Sequence, residues 1–294
     1  MTQCRYGLIG SDIATSLSPA LHEAEGRAQG LDLTYTLIDT DGPGAPAGLS
    51  RLLTQAETQG YAGLNITHPF KQAVVPLLDE LSPQARSIGA VNTVVFRDGR
   101  RLGFNTDAYG FTESFRRELP GAATGRVVQL GAGGAGAACA FAQLEAGVEH
   151  LTVVDPDADR RGLLAETLSV RFDIDRIAVA APAELPALLA GADGLVNASP
   201  IGMRAKPGTP LPVDLLHPGL WIVDIIYMPV ETPLLRAARG SGLRAIGGTS
   251  MCVFQAAAAF ELFTGRAPDT GRMLEHLHRL LIGDQARPSS PWSN

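Results

Sequence analysis

Apolar and polar positions in the first hundred residues follow two periods, one typical of strands and one typical of helices. Short apolar or alternating runs predict β-strands at 5–10, 33–39, 61–67 and 90–96. Apolar residues three and four positions apart predict helices at 18–30, 49–60 and 73–81. The last of these contains Pro76, and Ser18 suits a cap at the start of the first. The Asp98-Gly99 pair predicts a hairpin, and the chain then enters a helix near Asp107.

From about residue 125 onward, the predicted elements repeat in the order strand, loop and helix. Apolar runs predict further strands at 126–130, 150–155, 194–199 and 220–227. A helix is predicted at 160–172, and an alanine-rich helix follows residue 247. Strands that alternate with helices imply a parallel sheet with helices on its faces. The pattern therefore predicts an α/β protein of two domains, whose C-terminal helix packs back on the first domain.

A glycine loop lies between the strand at 126–130 and an alanine-rich helix. It reads G-x-G-x-x-G, and the next strand ends at Asp155, about 20 residues later. Glycines let the backbone approach a pyrophosphate, and the helix N-terminus offers N–H groups and a positive dipole. Asp155 can accept hydrogen bonds from ribose hydroxyls and repels a 2′-phosphate, which favours NAD over NADP. Arg160 and Arg161 are the nearby residues that could instead reach a 2′-phosphate. The predicted cofactor loop consists of Gly131, Ala132, Gly133, Gly134, Ala135 and Gly136.

This loop predicts a Rossmann-type, doubly wound dinucleotide-binding domain in the second half of the chain. We place an N-terminal α/β substrate-binding and catalytic domain at 1–107 and the NAD-binding domain at 108–246. The C-terminal helices at 247–285 return to the first domain, and the Pro/Ser-rich tail at 286–294 is expected to be loose.

Composition and charge exclude several classes of function. Hydrophobic residues make up 45% of the chain and charged residues 18%, as in an ordinary globular protein. The net charge of −6 and the pI of about 5.5 argue against nucleic acid and anionic membranes as partners. The sequence has neither a signal-peptide pattern nor an apolar run of about 18 residues, so we expect a cytoplasmic protein without a membrane span. The cysteines at 4, 139 and 252 lack metal-ligand spacing, and no metal site is predicted.

Polar residues cluster at the predicted strand ends of the first domain, where open α/β sheets bind their ligands. Hydroxyls and amides there suit a polyhydroxylated substrate, and Lys71 with Asp107 suits a reacting oxygen. Each residue also has a structural explanation, because serine and aspartate cap helices and asparagine satisfies turns. Their combination beside a nucleotide fold favours a binding site composed of Ser16, Ser18, Asn65, Thr67, Lys71, Asn92, Thr106 and Asp107.

Seven segments carry a resemblance to a known family over nearly the whole chain. They read SLSPALHEAEG, GLNITHPFKQ, GAVNTVV, GFNTDAYGF, GAGGAG, VNASPIGM and GGTSMCVFQAAAAFELFTG. In this order they resemble the shikimate dehydrogenase family, and most of all its NAD-linked quinate/shikimate dehydrogenase branch. The resemblance implies that Lys71 and Asp107 are the catalytic pair. It implies a substrate site formed by Ser16, Ser18, Asn65, Thr67, Asn92, Tyr227 and Gln255. It places Asn197, Ser199, Met203 and Gly248 near the nicotinamide.

Two positions bear on specificity. NADP-linked members of the family usually carry Asn-Arg-Thr after the second strand of the nucleotide domain, whereas this chain has Asp155 in place of that asparagine. This agrees with the preference for NAD. The Ser16-Leu17-Ser18 segment resembles the two-serine pattern for shikimate, whereas quinate-using relatives often have threonine at the second position. Such small differences discriminate modestly, so quinate-preferring and aminoshikimate-type activities stay open as alternatives.

The expected reaction is a reversible hydride transfer between the substrate ring carbon and nicotinamide, with Lys71 moving the proton of the ring oxygen. A protonated lysine is an acid for ketone reduction, so oxidation should rise toward alkaline pH. A folate-linked dehydrogenase is a rival, but the Ser-x-Ser and Asn-Thr-Asp elements argue against it. A nucleotide-sensing regulator is another rival, which would not need both Lys71 and Asp107. The residues fit a monomer or a homodimer and either physiological direction, biosynthetic or catabolic.

Overall fold

The first half of the chain builds a mixed sheet. The computed structural model describes residues 4–41 and 48–285. Within them the first sheet has the strand order β2-β1-β3-β5-β6-β4. The strands β1 to β3 pair in parallel, β5 runs antiparallel to β3 and β6, and β4 runs parallel to β6. Their bounds are β1 Cys4–Gly10, β2 Leu33–Asp39, β3 Tyr61–Ile66, β4 Glu80–Leu81, β5 Thr93–Arg97 and β6 Arg100–Phe104.

The hairpin and helices of this half follow from local chemistry. Asp98 and Gly99 both have positive φ, as a two-residue hairpin of the favoured twist requires, and they join β5 to β6. Apolar faces of the helices and strands bury Leu52, Leu53 and Leu64 in a common core. The helices are α1 Ser18–Ala28, α2 Leu49–Thr58, α3 Pro83–Ile88 and α4 Asp107–Glu118.

The second half is a parallel sheet with the strand order β12-β11-β10-β7-β8-β9. If β7 to β12 are renumbered as strands 1 to 6, the order read from β9 is 3-2-1-4-5-6, which is the doubly wound dinucleotide-binding order. The strand order changes direction between β7 and β10. The predicted fold class is therefore confirmed. The strands are β7 Arg126–Leu130, β8 His150–Val154, β9 Ile177–Ala180, β10 Gly194–Asn197, β11 Trp221–Asp224 and β12 Ala245–Gly247. The helices are α5 Gly134–Glu145, α6 Ala158–Ser169, α7 Leu185–Leu189 and α8 Pro233–Gly240.

The last two helices return to the first sheet. They are α9 Thr249–Thr264 and α10 Thr270–Gln285. Phe260 and Phe263 of α9 pack against Tyr6 and Tyr35 of that sheet. Arg272 of α10 donates to the buried Glu25 of α1 at 2.7 Å. The predicted return of the C-terminal helix is thus confirmed, whereas the exact domain boundaries stay predictions. The tail at 286–294 lies outside the described residues.

Two local predictions were wrong. Residues 73–81 do not form a helix, because Pro76 starts only a short 3₁₀ turn at Val75–Leu77 and the chain then turns extended. The Asp79 backbone N–H and carboxylate both bond to Arg101, which aligns β4 beside β6. Ser18 does not cap α1: the cap position is Leu17, and no side chain caps it. The short elements α3, α7, α8, β9 and β12 were also not predicted, because each is too short to show a clear period.

Candidate active site

Lys71 and Asp107 form an ion pair, with Nζ 2.7 Å from Oδ2. Lys71 lies in the turn after β3, and Asp107 is the first residue of α4. Their side chains are 15% and 8% exposed, so the pair is largely screened from water. Asp107 lies at the start of α4, so its side chain is at the positive end of the helix dipole. This arrangement leaves two donor hydrogens of the ammonium for other partners.

The Asp107 carboxylate does not serve as a helix cap. Asn105 takes that role, because its Oδ1 accepts from the N–H groups of Asp107 and Ala108 at 3.1 and 3.4 Å. The second carboxylate oxygen of Asp107 accepts from Asn92 Nδ2 at 2.9 Å. Asn92 is 3% exposed, and its Oδ1 accepts from the Thr106 N–H at 2.8 Å, which fixes the orientation of the amide. Asn92 therefore fixes the side chain of Asp107, and Asn105 fixes its backbone.

Asn65 is more buried than its predicted role in substrate binding implies. Its Oδ1 accepts from the Tyr35 hydroxyl at 2.7 Å. Its two N–H groups donate to the Asn92 carbonyl at 3.1 Å and to Thr93 Oγ1 at 2.9 Å. Because both donors are used within the protein, Asn65 in this arrangement supports Asn92, and only its second Oδ1 lone pair remains for a ligand.

The two serines meet beside two tyrosines. Ser16 donates its hydroxyl to Ser18 Oγ at 3.2 Å. Burial raises the pKa of Tyr227, and a hydrogen bond with Ser16 opposes that rise. Burial likewise raises the pKa of Tyr35, and a hydrogen bond with Ser18 opposes it. Both phenols therefore stay neutral at physiological pH.

Thr67, Gln255 and Cys252 complete the neighbourhood. Thr67 follows β3, and its N–H bonds to the Ile9 carbonyl of β1. Gln255 on α9 is half-buried and donates to the Cys252 carbonyl at 2.9 Å. Burial raises the pKa of the Cys252 thiol to about 12, and the charge of Asp107 adds to the rise. The thiol is therefore uncharged and is excluded as a nucleophile at neutral pH.

The glycine loop has the geometry that a dinucleotide phosphate needs. Gly131 has φ +102°, and a Cβ at Gly136 would lie 2.2 Å from the Gly131 carbonyl oxygen. A Cβ at Gly133 would meet nothing within 4 Å, so the space over the loop is open. No side chain caps the start of α5, which leaves its first N–H groups available to an anion. The loop from Gly131 to Gly136 therefore fits a pyrophosphate.

This loop also touches the lysine. A Cβ built on Gly134 would lie 2.9 Å from Lys71 Cβ and 3.3 Å from its Cδ. The start of α5 and the stem of Lys71 are thus in direct contact. The structure brings the predicted catalytic pair and the predicted cofactor loop together.

Asp155 is bound to the glycine loop. Its Oδ2 accepts from the Ala132 N–H at 2.8 Å, and its Oδ1 accepts from the Asp157 N–H at 2.9 Å. Asp157 caps α6, and its side chain is 43% exposed and pairs with Arg160 at 3.3 Å. Arg161 donates to the Asp155 carbonyl. The strand end therefore presents two carboxylates and two arginines, each held by a partner within the turn.

The segment from Asn197 to Met203 is anchored on a buried carboxylate. Asn197 Nδ2 donates to Asp224 Oδ1 at 3.0 Å, and Ser199 donates its hydroxyl to Asn197 Oδ1 at 2.7 Å. Asp224 has no exposed surface, and burial raises the pKa of its carboxyl. Met203 is 44% exposed, which leaves it accessible at the surface. A Cβ at Gly248 would lie 2.0 Å from the Ile225 carbonyl oxygen, so this approach requires glycine.

Sequence reasoning missed four residues that organise the site, namely Tyr35, Thr93, Asn105 and Asp224. Tyr35 shares one face of β2 with Leu33 and Leu37 and therefore resembles a core residue. Asn105 belongs to the Asn-Thr-Asp motif, which is the signal that could have identified it. Within the described residues, no cluster of histidine, cysteine or acidic side chains could hold a metal ion, and no helix has the length and hydropathy of a membrane span.

A doubly wound nucleotide fold whose phosphate loop touches a lysine–aspartate pair defines a pyridine-nucleotide-dependent oxidoreductase. Comparison with known proteins refines this class. A family model described as the shikimate dehydrogenase substrate binding domain matches residues 8–94. One described as the shikimate 5′-dehydrogenase C-terminal domain matches residues 248–278. The chain belongs to the shikimate dehydrogenase family, as its motifs predict, and is a dehydrogenase of the shikimate/quinate type.

Curated relatives carry both cofactor names. The chain is 55% identical to a shikimate dehydrogenase (NADP(+)) of Streptomyces avermitilis, over 95% of this chain and 97% of the relative. It is 48% identical to a quinate/shikimate dehydrogenase (NAD(+)) of Corynebacterium efficiens, over 91% of this chain and 95% of the relative. The chain therefore resembles the NAD-linked branch, but its identity to this NADP-named relative is higher, at 55% against 48%.

Solved structures show the same pair of cofactors. A quinate dehydrogenase of Corynebacterium glutamicum in complex with NAD superposes with a TM-score of 0.89 at 46% identity, covering 94% of this chain and 99% of that one. A shikimate 5-dehydrogenase of Thermus thermophilus in complex with NADP(H) and shikimate gives a TM-score of 0.81 at 36% identity, with 94% and 99% covered. The family membership thus fixes a pyridine nucleotide and leaves its identity to the residues of this chain.

Proposed function

We propose that this protein is an NAD-dependent shikimate dehydrogenase. It interconverts shikimate and 3-dehydroshikimate and also oxidises quinate to 3-dehydroquinate. The observation that carries the proposal is the Lys71–Asp107 pair, 2.7 Å apart, with the stem of Lys71 against Gly134 of the phosphate loop. This contact supports the proposal, because it brings a candidate proton-transfer group next to the loop that we assign to the dinucleotide.

The mechanism divides between cofactor and protein. The nicotinamide, when bound, supplies the hydride acceptor or donor. Lys71 Nζ delivers a proton to the ring oxygen during ketone reduction and must be neutral to accept that proton during oxidation. Asp107 holds Lys71 in place, and Asn92 holds Asp107. The rate of oxidation should therefore rise toward alkaline pH.

The remaining predicted residues bind rather than react. We assign the substrate ring to Ser16, Ser18, Thr67, Tyr227 and Gln255, because their hydroxyl and amide groups suit a polyhydroxylated acid. We assign the nicotinamide side to the segment from Asn197 to Met203 and to Gly248. Asn65 supports this surface through Asn92.

The preference for NAD rests on charge at the end of β8. The carboxylates of Asp155 and Asp157 both lie in the turn where a 2′-phosphate would bind, and Asp157 is exposed. Arg160 is paired with Asp157, and Arg161 donates to the Asp155 carbonyl, so both arginine side chains are already engaged within the turn. Repulsion between a carboxylate and a phosphate at such a site amounts to about 1–4 kcal/mol, which favours the cofactor that lacks the phosphate.

Substrate preference rests on the serine pair. Ser18 is small and accepts a hydrogen bond from Ser16. Quinate carries an additional hydroxyl on the carboxylate-bearing carbon, and position 18 of this chain offers serine in place of the threonine that quinate-using relatives often have there. We therefore propose that shikimate is preferred over quinate by a modest factor, about 10- to 100-fold in kcat/KM. A quinate-preferring or aminoshikimate-using enzyme is the alternative.

Steady-state kinetics test the proposal directly. We expect NAD reduction with shikimate, slower reduction with quinate, and a higher kcat/KM for NAD than for NADP. A higher kcat/KM for NADP would refute the interpretation of Asp155 and Asp157. A faster reaction with quinate would reverse the substrate assignment, and nucleotide binding without turnover of either acid would favour the nucleotide-sensing regulator.

Lys71→Ala tests the role of the lysine. We expect kcat to fall by about 10²–10⁴ if Lys71 transfers the proton. Arg100→Ala is the matched control, because it removes the cation of an ion pair with Glu80 whose two side chains are both 55% exposed. That variant should keep normal turnover, and near-normal turnover in Lys71→Ala would contradict the assignment.

A further inference from the structure

The ring of Tyr35 packs in the core, but its hydroxyl makes a long-range contact that core packing alone does not require. It lies on β2, the edge strand next to β1, and its phenol reaches across β1 to Asn65 on β3. The residue is 5% exposed, and its ring stacks on His22 with centroids 4.6 Å apart. A hydroxyl buried this deeply needs a partner, and the Tyr35 hydroxyl donates to Asn65 Oδ1.

Beyond Asn65 the hydrogen bonds continue in one direction. Tyr35 donates to Asn65 Oδ1, which fixes the amide so that its nitrogen faces Thr93 Oγ1 at 2.9 Å. Thr93 has no exposed surface and donates onward to Asn92 Oδ1 at 3.0 Å. Asn92 in turn donates to Asp107 Oδ1 at 2.9 Å. Each side chain in this hydrogen-bonded series donates to the next, and the series ends at the Asp107 carboxylate, which pairs with Lys71.

The Tyr35 end of this hydrogen-bonded series lies beside the predicted substrate-binding serines. The Ser18 side chain opposes the rise in the pKa of Tyr35, and Ser16 donates to Ser18 at 3.2 Å. Chains of hydrogen bonds in a low-dielectric interior polarise one another, and an amide in such a chain has one orientation only. Tyr35 therefore lies between the serines and the asparagines.

We propose that Tyr35 is a positioning residue that orients the Asn65 and Asn92 amides and, through them, the carboxylate of the Lys71–Asp107 pair. This inference rests on the proposed function for its kinetic consequence. Its structural part, the orientation of two amides by one phenol, does not depend on which substrate binds.

Tyr35→Phe removes the hydroxyl and keeps the ring. We expect kcat for shikimate oxidation to fall about 5- to 30-fold, the loss associated with one buried hydrogen bond. The KM for the nucleotide should stay unchanged, because the chain does not touch the glycine loop. The pH profile of kcat should also differ from that of the wild type, because the hydrogen bonding around Asp107 changes.

Tyr6→Phe is the matched control. Tyr6 is the register neighbour of Tyr35 on β1, is 2% exposed, and donates its hydroxyl to the Phe263 carbonyl at 2.9 Å. The Tyr6→Phe variant loses a comparable buried hydrogen bond, but that bond is not connected to Asn65. Both variants should lose similar thermal stability, and only Tyr35→Phe should change kcat and the pH profile. Equal kinetics in the two variants would overturn the inference.

Thr93→Val interrupts the same chain one step later. We expect it to lower kcat to a similar degree, and the Tyr35→Phe/Thr93→Val double variant to be no slower than Thr93→Val alone, because the two residues act in series. Fully additive losses would contradict a single chain.

Side-chain amide NMR separates this inference from the proposed function. The Asn92 Nδ2 resonances should shift in Tyr35→Phe and stay in place in Tyr6→Phe, whether or not shikimate is the substrate. Unshifted Asn92 resonances in Tyr35→Phe would refute the positioning role. If the wild-type protein oxidises neither acid but the Asn92 resonances still shift in Tyr35→Phe, only the proposed function is refuted.

Discussion

His22 should make the stability of this protein depend on pH in a window where few other groups titrate. It is 1% exposed on α1, and its ring stacks on Tyr35 and lies near Phe260. No group in the described residues bonds to its Nδ1. Burial lowers the pKa of His22 from 6.5 to about 3, because a charged imidazole in this apolar stack would be desolvated without a partner.

The sign of the effect follows from proton counting. Below pH 6.5 the unfolded chain binds a proton at His22 that the folded protein does not bind until about pH 3. The free energy of unfolding therefore falls as the pH falls, by about 1.4 kcal/mol per unit. Between pH 7.5 and 5.0 the expected loss is about 2 kcal/mol. Carboxylates with lowered pKa, such as Glu25 and Glu113, lose their contribution only in more acidic solution.

Urea unfolding at pH 7.5, 6.5, 5.5 and 5.0 measures this loss. His22→Phe keeps an aromatic ring in the stack and removes the titrating group, so its free energy of unfolding should decline by about 2 kcal/mol less than that of the wild type over this range. His150→Ala is the control, because His150 is an exposed residue at the start of β8 and its removal should leave the slope unchanged. Equal slopes in wild type and His22→Phe would refute a neutral buried His22.

Two further predictions concern the cofactor side of the site. Gly134→Ala should lower kcat at least about tenfold with a smaller change in nucleotide affinity, because its Cβ would lie 2.9 Å from Lys71 Cβ. Gly133→Ala, whose Cβ meets no protein atom, should instead weaken nucleotide binding, and stopped-flow binding with steady-state rates separates the two. Asp224→Ala should lower the free energy of unfolding by about 3 kcal/mol, because Asn197, Ile226 and Thr232 all donate to its carboxylate. Asp224→Asn, which retains an acceptor, should lose less than half of that in urea unfolding, and equal losses would contradict the role of the carboxylate as an anchor.

Much of the fold could be predicted because its signals are local. The glycine loop, the Asp98-Gly99 turn and the alternation of strand and helix all depend on residues close in sequence. The segment at 73–81 shows the limit of that approach. Its apolar spacing is helical, but pairing with Arg101 of β6, a contact between distant residues, aligns it beside the sheet.

The site could be predicted as a set of residues but not as an arrangement. Lys71, Asn92 and Asp107 were identified from chemistry and motif, and the structure places them in contact. Tyr35 could not be identified, because its hydroxyl bonds to a residue two strands away and its position in β2 is that of a core residue. The orientation of an amide depends on all of its partners at once, and no local pattern encodes it.

The contact between Gly134 and Lys71 explains why the two halves of the site depend on each other. A glycine in the phosphate loop normally serves the approach of the cofactor, whereas here the missing side chain also leaves room for the lysine stem. Lys71 is held at its other end by Asp107, and Asp107 by Asn92. The loop that we assign to the cofactor and the substrate-side hydrogen bonds therefore both act on the position of the same ammonium, so a change on either side is expected to affect the other.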